Sequence, residues 1–180
     1  MSDQSQDPEP AMASSAAQLY DSLPIPQSSQ FIRVLDILEK SSATDPGLTG
    51  SLRLVDLNDS PKFTALSYVW GKASGKSINC NGYEVKVTDS CFEALSSLRE
   101  ALGNFTIWVD AICINQMDDD EKTTQILLMD EVYTWAEAVY ICPRARPTTR
   151  AFLRPGILLR ARGPNLVEKI MDFSRDYTGL

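Results

Sequence analysis

The sequence predicts an α/β domain with a mostly parallel sheet, flanking helices and an appended β-hairpin. Apolar runs of strand length alternate with segments of helical periodicity, which is typical of parallel strands joined by right-handed crossovers. In addition, Asn81-Gly82 stands between two strand-like pieces. This dipeptide readily adopts the two positive φ angles of a type I′ turn, so residues 77–88 are the predicted hairpin.

The predicted strands of the first half precede this hairpin. Residues 31–38 and 51–57 are rich in leucine and β-branched side chains, and the Ser, Thr, Asp, Pro and Gly between them predict that they pair as a hairpin. Residues 64–70 are a mainly apolar run that Gly71 stops. We expect these runs to form three strands.

From Ser90 the spacing of apolar residues changes from that of a strand to that of a helix, and a helix is predicted over about residues 90–102. Ser90 and Glu93 have the spacing of a capping box, and Gly103 supplies the stop. Its apolar face contains Phe92, Leu95, Leu98 and Leu102.

The last predicted elements follow Gly103. Residues 105–111 are a continuous apolar run ending in aspartate, as expected of a strand buried on both faces. A second helix is predicted from Asp118, where four carboxylates favour the positive end of the helix dipole, to Ala136. Residues 138–142 then read as a short strand.

Charge and composition divide the 180 residues into three parts. Residues 1–30 are rich in Ser, Gln, Asp, Pro and Ala and are predicted to be a disordered leader. Residues 31–142 form the predicted domain, and residues 143–180 a basic tail. Residues 1–142 carry 21 acidic and 9 basic side chains, whereas residues 143–180 carry 3 and 8. The acidic body argues against nucleic-acid binding, although the arginine-rich tail could touch polyanions or the body itself.

Several classes of function are disfavoured by what the chain lacks. It has no histidine, which removes His-based zinc sites and Ser-His-Asp or Cys-His catalysis. Its four cysteines are far apart and are expected as reduced thiols; Cys113 is expected to be a small buried residue. No apolar run suits a membrane span, and the acidic amino terminus does not resemble a secretory signal. We therefore expect a cytoplasmic protein without a membrane contact.

Two separated motifs resemble one known family. ALSYVWG, residues 65–71, is similar to the first signature of the fungal heterokaryon incompatibility (HET) domain, and WVDAICINQMDDDEKTTQILLMDEVYTWA, residues 108–136, to the second. The resemblance covers about residues 52–141. Lys122 stands where the family more often has arginine. After Val139 the family usually continues with Trp-Leu-Gly, whereas this chain has Tyr-Ile-Cys-Pro, which makes the tail atypical or truncated.

The resemblance implies a module of self/non-self recognition that triggers programmed cell death when unlike fungal cells fuse. It also implies a fold distantly similar to Toll/interleukin-1 receptor domains, some of which cleave NAD with a glutamate. Fold alone does not fix function. The resemblance implies no cofactor, and it leaves NAD open as a substrate.

Candidate site residues follow the ends of two predicted strands, where ligands of α/β sheets tend to bind. Asp110 could orient a ligand hydroxyl or simply cap its loop, and Glu121 could act in acid/base or nucleophilic chemistry or only favour a helix start. Amide and strand-end groups could bind a ligand or partner, although Asn115 and Gln116 could equally stabilise their loop. Trp70 and Trp108 are residues of a type that is more often a core anchor. These binding candidates are Ser67, Tyr68, Trp70, Gly71, Asn115 and Gln116.

Three functions remain open from the sequence. The first is cell-death signalling through self-association or protein partners. The second is an NAD-consuming glycohydrolase that uses Glu121 with Asp110. The third is a truncated, inactive copy that regulates longer relatives. Whatever the function, the ends of the two apolar strands predict that four side chains converge near Trp70-Gly71 at the carboxyl edge of the sheet, with no metal: Asp110, Asn115, Gln116 and Glu121.

Overall fold

A computed structural model describes residues 15–27, 30–39, 47–71, 73–142 and 157–159, and the fold is given for these ranges. They form one mixed sheet with helices packed against it. None of the helices in these ranges is both long and apolar enough to cross a bilayer. In chain order the elements are α1 (Ser15–Ser22), β1 (Phe31–Ile37), β2 (Leu48–Asp56), β3 (Thr64–Tyr68), β4 (Ala73–Cys80), β5 (Tyr83–Thr88), α2 (Asp89–Leu102), β6 (Phe105–Trp108), α3 (Asp110–Cys113), α4 (Asp119–Leu127), α5 (Met129–Trp135), β7 (Val139–Cys142) and β8 (Ile157–Leu159).

The sheet confirms the α/β class but is mixed, so the prediction of a mostly parallel sheet is wrong. The strand order is β5-β4-β2-β1-β6-β3-β7-β8. Neighbours β2–β4, β3–β6 and β3–β7 are parallel, whereas β1–β2, β1–β6, β4–β5 and β7–β8 are antiparallel. The reason is that β1 lies in the middle of the sheet and runs antiparallel to both of its neighbours, β2 and β6. It therefore separates the parallel pair β4–β2 from the parallel strands β6, β3 and β7.

The core lies on both sides of the central strands. In β1, Ile32, Val34 and Leu35 are all fully buried, so consecutive side chains are covered on both faces. In β6, Trp108 is also fully buried, and its ring meets that of Tyr133 edge to face at 5.6 Å between centroids. Trp108 is therefore the core anchor that the sequence allowed.

Helix α2 matches its predicted range, but its amino-terminal cap differs. Thr88 is the cap, because its Oγ1 accepts a hydrogen bond from the Cys91 amide. The Ser90 hydroxyl instead donates to the carbonyl oxygen of Val69 at 3.0 Å. The predicted capping box is therefore wrong, since Ser90 ties the helix to the end of the first signature. Gly103 has φ 72° and ends the helix as predicted.

The second signature is more broken than its sequence pattern suggests. β6 ends at Trp108, and α3 begins at Asp110 within the predicted strand 105–111. The predicted helix from Asp118 to Ala136 is two helices, α4 and α5, which meet at Leu128. Asp118 caps α4 by accepting hydrogen bonds from the amides of Asp120 and Glu121.

Part of the predicted disordered leader is ordered, so that prediction is wrong for residues 15–27. Helix α1 buries Leu19 completely and leaves Tyr20 only 6% exposed. The amide of Glu84 in β5 donates to the Ser15 hydroxyl, which fixes one end of α1 against the hairpin. Residues 1–14 of the leader and nearly all of the predicted tail lie outside the described residues.

The Asn81-Gly82 hairpin is confirmed. β4 and β5 pair antiparallel with Cys80 opposite Tyr83, and Asn81 and Gly82 have φ angles of 54° and 86°. Asn81 also exchanges hydrogen bonds with the backbone of Leu52 in β2 through its side-chain amide. The turn therefore contacts the β1–β2 hairpin as well as its own strands.

Replacing Gly82 with valine should lower the free energy of unfolding by about 1–3 kcal/mol, because a β-branched residue resists a positive φ. Chemical denaturation measures the change. Gly75→Val is the matched control, since Gly75 has open space around it and no positive φ. Equal losses in both variants would contradict the assignment.

Candidate functional site

The two signatures meet because β3 and β6 are parallel neighbours. Thr64 lies opposite Ile107 and Ala65 opposite Trp108, so the segments that follow both strands emerge at the same edge of the sheet. Across this edge, Nε1 of Trp70 donates a hydrogen bond to Oδ2 of Asp110 at 2.9 Å. The predicted proximity of Trp70 and Asp110 is confirmed.

Asp110 accepts hydrogen bonds from neutral donors. Its Oδ1 accepts from the Ala111 amide at 2.7 Å, and its backbone carbonyl accepts from Nε2 of Gln116 at 2.9 Å. Burial raises the pKa of the Asp110 carboxyl, although the two N–H donors from Trp70 and Ala111 oppose that rise. Within the described residues, no lysine or arginine forms an ion pair with Asp110.

Tyr68 lies near Asp110. Its hydroxyl oxygen is buried beside the side chains of Cys91 and Thr88, although it meets no described group at ordinary hydrogen-bond geometry. Burial and the neighbouring Cys91 and Asp110 raise the pKa of Tyr68. Ser67 is half-buried in β3 opposite Ile141, and Gly71 is exposed beside the Ser90 hydroxyl.

Glu121 belongs to a different network, centred on Arg33 of β1. The Arg33 side chain is fully buried, and its Nη1 and Nη2 donate to Oε1 and Oε2 of Glu121 at 2.6 and 2.9 Å. Oε1 also accepts from the Asn115 amide at 2.7 Å. Both carboxylate oxygens of Glu121 are thus occupied by protein donors.

The remaining contacts of Arg33 reach the leader and the second signature. Its Nε donates to the Leu23 carbonyl at 2.8 Å, and its Nη1 also donates to the Cys113 carbonyl at 3.3 Å. The Tyr20 ring lies 5.0 Å from the guanidinium carbon, and the Tyr20 hydroxyl donates to the carbonyl of Ile112. A buried guanidinium therefore has partners on three elements besides its own strand.

The structure separates the predicted site residues into two groups. Trp70, Asp110 and Gln116 are joined by hydrogen bonds at the sheet edge, with Tyr68 beside them. The Asn115 backbone N–H instead donates to Glu121, which faces Arg33. The Asn115 side-chain oxygen accepts a hydrogen bond from the Met117 backbone N–H within the loop.

The sequence reasoning missed Arg33 and Tyr20. Tyr20 lies in a segment whose composition predicts disorder. A signal for Arg33 was present, because a single arginine inside the apolar run 31–38 requires buried partners if that run is a central strand.

The cysteines and the acidic run have no contacts that suggest catalysis. All four cysteines are free, and burial raises the pKa of the Cys80 and Cys91 thiols to about 12. Cys113 is fully buried, as predicted. Asp119 pairs with Lys122 on the exposed face of α4. Within the described ranges no three acidic or thiol side chains are grouped as a metal site.

Breaking the Arg33–Glu121 pair should destabilise the domain strongly. We expect Glu121→Gln and Arg33→Met each to cost up to about 3–5 kcal/mol, because each leaves the other charge buried without its partner. Urea unfolding gives these values, with Arg53→Met as the matched control. Arg53 is 47% exposed in its pair with Asp36, so its loss should cost at most about 1 kcal/mol. Similar costs for Arg33 and Arg53 would refute a structural role for the buried pair.

The raised pKa of Asp110 predicts a pH effect of unusual sign. The folded state holds the Asp110 proton more tightly than the unfolded chain, so stability falls as the pH rises from about 4 through the folded pKa. Relative to Asp110→Asn, which does not titrate, the wild-type protein should lose stability across this window. Unfolding free energies of both proteins at pH 4 and pH 6 measure the difference. If the wild-type protein instead gained stability relative to Asp110→Asn between pH 4 and pH 6, the predicted sign would be wrong.

Comparison with known proteins agrees with the two motifs. The family model described as "Heterokaryon incompatibility protein (HET)" matches residues 63–162, a range that includes β3 to β8. The chain is 33% identical over 136 residues to "Heterokaryon incompatibility protein 6, OR allele" of Neurospora crassa. That alignment covers 68% of this chain but 20% of the relative, so the chain spans about one fifth of the relative's length.

No solved structure matches the chain, and the likeness to Toll/interleukin-1 receptor domains stays a prediction. The family match is independent of that likeness. It covers more than half of the chain and contains both signatures whose ends meet at Trp70 and Asp110. The chain belongs to the heterokaryon incompatibility (HET) family.

Proposed function

We propose that this chain acts in fungal heterokaryon incompatibility as a self/non-self recognition and cell-death signalling domain that works through protein contact. Two findings support the incompatibility role. The chain belongs to the HET family, and its Neurospora crassa relative is named for heterokaryon incompatibility. The mechanism, contact rather than catalysis, rests on the site.

The observation that carries this mechanism is the occupation of Glu121. A glycohydrolase that used Glu121 would need one of its oxygens free to meet the substrate. In this chain Arg33 binds both oxygens, and the Asn115 amide binds one of them again. Freeing the carboxylate would leave a fully buried guanidinium without its counter-ion, which is energetically costly. Glu121 is better suited to holding the signature loop than to chemistry.

Exposed apolar side chains on the signatures also favour contact. Trp70 is 54% exposed, Met117 89% and Leu127 78%. Large aromatic and methionine side chains are enriched at protein interfaces, where they contribute buried area. These residues belong to the two segments that define the family. They therefore offer the domain a surface for a partner or a second copy.

The proposal is tested by expressing the full chain from an inducible promoter in a fungal cell and measuring growth and NAD together. We expect growth arrest with an unchanged NAD level, and no nicotinamide release when purified protein is incubated with NAD. Trp70→Ala should relieve the arrest because it removes an exposed contact. Tyr68→Phe should leave the arrest intact, because it deletes a buried hydroxyl that a partner does not reach.

Enzymatic action would give a different pattern. Nicotinamide would be released by the purified chain, and NAD would fall in the cells before growth stops. Glu121→Gln does not discriminate between the two mechanisms, since loss of the Arg33 pair would lower activity of either kind by unfolding the domain. Absence of growth arrest from the wild-type chain would contradict a complete effector and favour a regulatory copy.

A further inference from the structure

The Asp110 carboxylate is a mostly buried acid that forms no ion pair with any cation of the described residues. Its two oxygens accept one hydrogen bond each, from Trp70 Nε1 and the Ala111 amide. A carboxylate offers about four acceptor positions, so two remain unused. Buried charges in proteins are ordinarily paired, as Glu121 is with Arg33 in the neighbouring network. No lysine or arginine of the described ranges does the same for Asp110.

One of the two donors to this acid is an exposed tryptophan. Trp70 directs its N–H at Asp110 while 54% of its surface remains accessible to solvent. The hydrogen bond restrains the rotation of the indole and places its electron-rich ring next to a negative charge. Trp135 in α5 is exposed to a similar extent, at 48%, but no carboxylate in the described part of the chain accepts a hydrogen bond from it. Exposure alone therefore does not distinguish Trp70.

An aromatic ring beside an unpaired carboxylate is suited to a cation. Cations bind over indole faces, and a guanidinium is planar enough to stack on the ring while its N–H groups reach a carboxylate. An ammonium is a compact, strongly hydrated charge that gains less from stacking. We propose that Trp70 and Asp110 form a recognition site for an arginine side chain of a protein partner.

This inference rests on the proposed function only in making the partner a protein. The charge of the chain fits it, because residues 1–142 carry 21 acidic and 9 basic side chains and would attract an arginine-bearing surface. The bound guanidinium would offset the desolvation of the Asp110 carboxylate. Arginine is also enriched at protein interfaces.

The test uses the full chain with ¹⁵N-labelled indoles and follows the Nε1–H resonance of Trp70 by NMR. The probe is N-acetyl-arginine amide, and N-acetyl-citrulline amide is its neutral control of nearly the same shape. We expect the Trp70 resonance to shift saturably with the arginine probe and about tenfold more weakly with the citrulline probe. Resonances of Trp108 and Trp135 should stay in place, which also reports that the fold is unchanged.

Two variants locate the site. Trp70→Leu should abolish probe binding, measured by calorimetry, whereas Trp135→Leu, the matched exposed tryptophan, should leave it unchanged. Asp110→Asn should weaken binding while the Trp108 resonance keeps its position. Equal responses to both probes, or equal losses from both tryptophan variants, would overturn the proposal.

The source of the arginine has its own test, because residues 143–180 of this chain are rich in arginine. If one of these arginines occupied the site, replacing all seven of them with glutamine would move the Trp70 resonance without any probe. That outcome would overturn the assignment to a partner. None of these measurements depends on growth arrest, so failure of the binding site and failure of the proposed function are distinguishable.

Discussion

The buried ion pair between Arg33 and Glu121 is the constraint on which the rest of the site depends. A guanidinium with no exposed surface is tolerated only where its donors are satisfied. Here the partners are the Glu121 carboxylate and the carbonyls of Leu23 and Cys113. These groups come from the leader, the turn α3 and helix α4. One side chain in the central strand β1 therefore determines where three other segments can lie.

This constraint explains why the domain is larger than its signatures. The family model matches residues 63–162, yet the Glu121 carboxylate in the second signature is paired with Arg33, which precedes that range. Tyr20, earlier still, lies against the guanidinium and bonds the backbone of Ile112. Helix α1 and strand β1 thus supply Tyr20 and Arg33, the partners that Ile112 and Glu121 lack within the matched segment. Removing them would leave the Glu121 carboxylate without its buried counter-ion.

Local signals in the sequence predicted local structure correctly. They failed where contacts between distant segments determine the structure, as in the strand order and the cap of α2. The Asn81-Gly82 turn and the Gly103 stop depend on φ angles of single residues, so the sequence predicts them directly. The mixed sheet depends on where the β1–β2 hairpin inserts, which no local pattern records. Thr88 displaced the predicted cap because the hydroxyl of Ser90 had a long-range partner in Val69. The sheet edge was predictable, since both signatures end apolar strands.

Asp110 and Glu121, two of the acids in the second signature, differ in what balances their charge, and this difference separates a role in stability from the proposed role in recognition. Glu121 faces a permanent cation inside the protein and has no oxygen to spare. Among the described residues, Asp110 accepts side-chain hydrogen bonds only from N–H dipoles, and burial raises the pKa of its carboxyl. Loss of function after a change at Glu121 would therefore reflect a weakened fold. Loss after a change at Trp70, which supports no buried charge pair, would reflect the exposed indole and its hydrogen bond to Asp110.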